Sequence, residues 1–459
     1  MNSTSGQSTL QLVFPLIIIL LVTFSLAFFM PTISASQTIA VAAGIILFMV
    51  SFISSQAALY ILIFSMLLGP EIIVGETGGA SLGRGITLRL DDFILLIIGF
   101  GWLARTAIHK ELGLFLKTPL NKPIGFYVIA SLISTLIGTM MGRVDLKTGF
   151  FFVLKYFQYI IIYFMVVNHV QDKKQIHHFL WALLITCIVV SVIGIVQIPG
   201  GERVSAPFEG ARGEPNTFGG YLVLMMAITT GLFLTANLWR DRIIYGGITV
   251  LAFIPFLFTQ SRASYLAFIP MISVFAWLSE KRKLVIVSLL FLALFLPLTA
   301  PQKVRDRIAY TFSQSSHRDQ VQIGSIRLDT STSARLRSWQ DAFRDAVKHP
   351  IFGFGVTGYY FVDAQYPRVL VETGIIGMFS FILLLSAIFK QGVIVFLRTS
   401  DILHKGLSMG FIAGFIGLLT HAVGANTFII VRIMEPFWFV LAMVVMIAQV
   451  EAKSFVSQT

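Results

Sequence analysis

The polar positions of this chain separate its apolar residues into long blocks instead of alternating with them. Apolar runs of helical length recur at approximately 10–30, 37–54, 57–74, 92–108, 123–142, 150–170, 176–198, 217–236, 243–260, 264–280, 284–300, 371–389, 406–424 and 427–449. A bilayer crossing by a helix needs about 20 apolar residues. The runs therefore predict an all-α polytopic membrane protein, a bundle of about 12–14 transmembrane helices. Strands of a membrane barrel would show alternation over segments of about ten residues, whereas these runs are continuous. The first has no basic segment before it and no small-residue cleavage site after it, so it reads as a retained span.

The spacing of the runs divides the chain into four parts. Residues 1–300 hold about eleven spans, 301–370 form one long loop, 371–450 hold about three spans, and 451–459 are a tail. Composition narrows the class further. Charged residues are 12% of the chain and hydrophobic ones 56%, against about 25% charged in a soluble domain. A soluble enzyme, a secreted disulfide scaffold and a disordered chain are excluded on that ground. Cys187 is the only cysteine, so no intrachain disulfide forms.

The net charge is +12. No basic stripe with interleaved aromatics accompanies it, so the excess is read as topology and not as nucleic-acid binding. Suppose that the loop with Arg105, Lys110, Lys117 and Lys122 is cytoplasmic. Alternation then places fifteen basic residues inside and seven in the short outside loops, with both termini cytoplasmic. The long loop falls outside. Its own charge does not count against this, because long segments translocate regardless. Loops of such length in a compact architecture are usually functional.

Within that loop, Ser333–Lys348 reads as an amphipathic helix. Leu336, Trp339, Phe343 and Val347 recur at helical spacing, Thr330 to Ser333 supply caps, and His349-Pro350 ends it. The turn Gly353-Phe-Gly-Val-Thr-Gly358 follows. Asp363-Ala-Gln-Tyr-Pro-Arg-Val-Leu-Val-Glu-Thr-Gly374 then leads into the next span. The order of these pieces is a Trp-bearing helix, then His349-Pro-Ile-Phe-Gly-Phe-Gly355, then a polar residue nine before Glu372 of Glu372-Thr-Gly-Ile-Ile-Gly377. It resembles the O-antigen ligase and polymerase superfamily, bacterial membrane glycosyltransferases acting on polyprenyl-diphosphate-linked glycans. Arg203-Val-Ser-Ala-Pro-Phe208 with Gly213-Glu-Pro-Asn-Thr-Phe-Gly-Gly220, and Thr259-Gln-Ser-Arg-Ala-Ser264, look like two further family motifs. The resemblance covers roughly 150–450. Ligases of the family carry His-Asn where this chain has Asp363-Ala364, which shifts weight towards polymerisation.

Transfer of a glycan from a lipid diphosphate needs a cation for the leaving group and a base for the acceptor hydroxyl. Arginine meets the first need with a permanently charged planar fork. The resemblance implies Arg203 and Arg262 as diphosphate ligands and Asp363 as the base, with His349, His317 and His421 as alternatives for that role. Arg212, Glu214, Asn216, Arg335, Arg337, Tyr366 and Arg368 complete the expected substrate-binding set. Asp91-Asp92 reads as an acidic helix start and not as a metal site, and neither a metal nor a cofactor is expected. Arg432 and Glu435, three apart on one helix, are expected to pair. The resemblance implies an enzyme of the bacterial cytoplasmic (inner) membrane, with the long loop periplasmic or extracellular. Its partners would be the lipid-linked donor, a saccharide acceptor, the lipid bilayer, and polysaccharide export or chain-length regulator proteins. Two alternatives stand beside polymerisation: ligation onto lipid A core, and a transporter or flippase for the same lipid-linked sugars.

Overall fold

The computed structural model describes residues 35–75, 86–109, 116–208, 213–299, 301–313, 320–323, 326–327 and 329–456. The expected span 10–30 lies outside them. Each expected span from 37 onwards falls on a helix. These are α1 (Ala35–Ile53), α2 (Ser55–Leu68), α3 (Leu90–His109), α4 (Asn121–Met140), α5 (Leu146–His169), α6 (Lys173–Gln197), α7 (Pro215–Thr235), α8 (Trp239–Phe258), α9 (Arg262–Leu278), α10 (Arg282–Thr299), α13 (Gln365–Arg398), α14 (Ile402–His421) and α15 (Val431–Val456). Eight of the described helices are long and apolar enough to cross a bilayer. The fold is that of an all-α polytopic membrane protein.

The expected span 57–74 is shortened. Helix α2 stops at Leu68, and β1 (Glu71–Gly75) pairs antiparallel with β2 (Ile86–Arg89), Glu71 opposite Arg89. The run Gly69-Pro70 explains the stop, since proline disfavours helical backbone at the residue before it. The 301–370 segment is also more structured than expected. It holds α11 (Gln302–Ser313), a short hairpin of β3 (Gln322–Ile323) and β4 (Ile326–Arg327), and the amphipathic helix α12 (Thr330–Ala346).

Helices α7 and α15 are apolar on nearly every side and lie in the core, as a helix without a polar face must. Small residues let α14 approach α7. A methyl group at Gly410 would lie 2.6 Å from the Cα of Ile228, and Gly414 and Gly417 face the same helix at Leu224 and Val223. This is the close packing that small residues allow between membrane helices.

Helix α13 is broken near its start. Gly374 has φ 67° and ψ −167°, a region essentially closed to other residues. Carbonyls freed by the break are satisfied by the preceding loop: Phe354 N–H donates to Val371 O (2.9 Å) and Gly355 N–H to Glu372 O (2.8 Å). In return, Ile375 N–H donates to Pro350 O at 2.8 Å, and Ser134 Oγ of α4 donates to Phe352 O and Glu372 O. The Pro350–Gly355 motif thus serves as a backbone clamp around the kink. In Gly374→Ala, a Cβ would strike the Ile351 carbonyl in a conformation costing about 1–3 kcal/mol. A lowered melting temperature in detergent is expected, with Gly247→Ala, which meets open space, as the unaffected control.

Candidate functional site

At one end of the bundle, the turn between α8 and α9 is held from two sides. Ser261 caps α9 through a hydrogen bond from Ser264 N–H, and Gln260 before it takes a left-handed φ of 49°. From the segment after α6, Arg203 Nε donates to Thr259 O (3.0 Å) and Nη2 to Gln260 O (3.2 Å), while Val204 N–H donates to Phe258 O. Arg203 is therefore docked on the turn that leads into Arg262. Arg432, at the start of α15, fixes the segment behind Arg203, donating from Nη1 to Pro207 O (2.7 Å) and from Nη2 to Gly69 O (3.0 Å). Its guanidinium reaches these backbone carbonyls, and no Arg432–Glu435 ion pair occurs among the described residues. The two residues share a helix face, but the exposed carbonyls at helix and loop ends need donors more.

Arg262 Nη1 donates to both carboxylate oxygens of Asp329 (2.8 Å each) and to Thr332 Oγ1 (3.0 Å). Asp329 is also the N-cap of α12, one residue earlier than the expected caps. Burial alone would push its carboxyl up, but the hydrogen bonds from Thr332 and Arg262 prevail and hold it below the ordinary carboxylate value. Arg262 Nε and Nη2 are buried and have no hydrogen-bond partner among the described residues. Buried donors are nearly always satisfied, so this edge of the guanidinium is incomplete as it stands.

Three residues along α12 from Thr332, Arg335 donates from Nε (3.3 Å) and Nη2 (3.1 Å) to Asp363 Oδ2. Residues three apart share a helix face, so Arg262 and Asp363 attach side by side to the first turns of α12. The backbone around Asp363 is pinned as well: Asn426 Nδ2 donates to Val362 O, and Gln365 N–H to Ala422 O. Beneath this surface runs a buried polar chain. Ser264 Oγ donates to Ser261 Oγ (2.7 Å), and Ser261 Oγ donates to Asn216 Oδ1 (2.8 Å). His421 contacts Ser264 Oγ through Nε2 and Thr427 Oγ1 through Nδ1. Both of its ring nitrogens are thereby occupied.

The remaining expected residues are placed as follows. Glu214 caps the start of α7 and accepts from Thr217 Oγ1. Arg337 is exposed on α12, about 200° round from Arg335. Tyr366 donates its hydroxyl to Leu419 O. Arg368 is buried, paired with Glu372 (3.1 Å) and bonded to Tyr156 OH (3.1 Å), beside a void of ≈ 10 Å³. That void is the size of one water at most, so Arg368 faces the packing around the kink and not an open cleft. Arg212 and His317 lie outside the described residues. His349 stacks edge-on against Phe354; burial, with Arg143 and Lys348 close by, holds its imidazole below the ordinary value. It follows the C-terminal end of α12, about 25 Å from Asp329 along the helix. Asp91 pairs with Arg89 (3.1 Å), and Asp92 with Lys155 and Gln158.

Sequence reasoning missed Asp329 altogether, because an aspartate at a helix start looks like a cap and nothing more. Helix α12 packs through small residues. Its buried positions are the small Ser333, Ala342 and Ala346, while Phe343 and Val347 are 47% and 76% exposed. Close packing onto α13 selects small side chains and leaves the larger ones outward.

The Asp329–Arg262 contact is stabilising above the ordinary aspartate pKa of about 3.9 and is lost only as pH falls through the lowered folded value. Hydrogen exchange of the α12 amides in detergent should stay slow from neutral pH down to about pH 4. Asp329→Asn should speed it at neutral pH by about tenfold, the size of one charge-assisted bond. Unchanged exchange in that variant would show that the contact does not hold α12.

Residues 247–398, about a third of the chain, match the family model described as O-antigen ligase. The match takes in Arg262, Arg335 and Asp363 and leaves Arg203 and Asn216 upstream of it. No curated protein matches the chain.

Proposed function

We propose, from its membership of the O-antigen ligase and polymerase superfamily, that the protein transfers glycan from a polyprenyl-diphosphate-linked donor to a saccharide hydroxyl at the membrane face bearing the 259–262 turn. Polymerisation is favoured over ligation because Asp363-Ala364 stands where ligases carry His-Asn. The supporting observation is the incomplete guanidinium of Arg262. Nη1 is anchored to Asp329 and Thr332, while Nε and Nη2, the edge suited to bidentate phosphate binding, have no partner among the described residues. Arg203, bonded to the same turn from the segment after α6, adds a second cation.

In this reading the two guanidinium groups bind the donor diphosphate, and Asp363 accepts the proton of the acceptor hydroxyl. The acceptor oxygen attacks the anomeric carbon, the carbon–oxygen bond to phosphate breaks, and lipid diphosphate leaves with the bonding pair. Direct displacement inverts the anomeric centre. Arg335 positions Asp363, whose Oδ1 has no hydrogen bond among the described residues. Arginine supplies the charge stabilisation, so the proposed reaction calls on no metal. The proposed orientation has both termini cytoplasmic and the long loop outside.

Loss of one preorganised donor to a developing anion costs about 10²–10³ in rate. Arg262→Ala should lose polymer formation by at least that order while the protein remains in the membrane. Arg262→Lys should fail similarly, because one ammonium cannot hold Asp329 and a phosphate fork together. The assay is elongation of lipid-linked glycan by purified protein in detergent, where a transporter would show nothing. Full elongation by Arg262→Ala would remove the central residue from the scheme, and activity confined to sealed vesicles would replace the transferase with a carrier.

A further inference from the structure

A cavity lies at the opposite end of the bundle from the 259–262 turn. It measures ≈ 640 Å³ and lies between the second half of α13 and the end of α15. Its α13 wall includes Leu383, Ala387, Lys390, Ile394 and Arg398. Steps of three and four residues put these on one helix face. They extend about 22 Å along the helix, and Ile447 of α15 stands opposite. Polarity changes along the groove. Apolar side chains line it towards the bilayer interior, and the two cations lie towards the helix end.

Those cations differ from their neighbours. Lys173 pairs with Asp401 and Lys405 with Glu280, each at 3.3 Å, whereas neither Lys390 nor Arg398 has an ion pair among the described residues. The acid in the same lining, Glu451, is already engaged: His404 Nδ1 lies 2.7 Å from Oε1, and Thr399 Oγ1 donates to the same oxygen. The groove thus presents excess positive charge above an apolar slot bounded by two helices. Cations on an open lipid-facing surface would simply extend to the interface. Here they line a cavity that an acyl chain can enter.

We propose that this groove binds one anionic glycerophospholipid from the leaflet opposite the candidate site, with its phosphate between Lys390 and Arg398 and an acyl chain along Ala387 and Leu383. The arrangement follows the lipid's own polarity, charged head outward and hydrocarbon inward. Basic residues near a membrane surface each favour anionic lipid by about fivefold. The site is separate from the transferase reading and stands or falls without it.

The test is native mass spectrometry of the delipidated full chain with phosphatidylglycerol and phosphatidylcholine in competition. Wild type should retain one phosphatidylglycerol preferentially. The double variant Lys390→Gln/Arg398→Gln should lose that preference, by about fivefold for each cation removed, with its lipid-free melting temperature unchanged. Ala387→Trp, which fills the slot and leaves both cations in place, should lose the retained lipid as well. Equal retention of the two lipids by wild type would overturn the proposal. So would preserved preference in either variant, competition by inorganic phosphate alone, or preference for a polyprenyl phosphate over phosphatidylglycerol.

Discussion

Arg262 carries a permanent charge at the mouth of an apolar bundle, and Asp329 is the group that makes its position tenable. An isolated charge there would be drawn to water; a charge bonded to a carboxylate that is 2% exposed stays in place. The same carboxylate caps α12, so the ion pair and the helix start form together. With α12 fixed at that point, Arg335 comes within reach of Asp363, and residues far apart in the chain meet on one helix face. Were the contact broken, α12 would lose its register over the bundle and the candidate site would lose one wall.

The surface that α12 covers is tied to the membrane core by hydrogen bonds, not by apolar packing alone. The path Asn216–Ser261–Ser264–His421–Thr427 crosses from α7 through the 259–262 turn to the end of α14. Buried polar groups of this kind stabilise only when every member is satisfied, which fixes the turn's geometry closely. Arg432 extends the frame by joining the loop behind Arg203 to Gly69 at the end of α2. On the other side, the clamp around Gly374 fixes where the chain emerges after Asp363. Three rigid supports thus converge on a surface with an unsatisfied guanidinium edge. Preorganisation of this sort is what electrostatic stabilisation of a leaving anion requires.

The bundle's two ends have different chemistry. At the end carrying the 259–262 turn, arginines are held by backbone carbonyls and carboxylates. At the other, Lys390 and Arg398 line a groove with apolar walls. The contrast separates a face organised around polar contacts from one that accommodates hydrocarbon.

Hydropathy by itself determined the membrane class, the helical runs from 37 onwards and the prominence of the segment before Asp363, because lipid allows only structures that satisfy the backbone internally. It also brought out Arg262, since a charge in a short turn between two apolar spans is conspicuous in one dimension. The span 57–74 was misjudged because a hairpin strand of apolar residues has the hydropathy of a helix end. Tyr366 and Arg368 looked alike as polar residues near a motif, yet one bonds the backbone of α14 and the other pairs with Glu372. Which polar group meets which is decided by helix rotation, by the kink at Gly374 and by the small residues that set how closely α12 and α14 approach their neighbours. Those quantities depend on packing between segments distant in sequence, and only the tertiary structure resolves them.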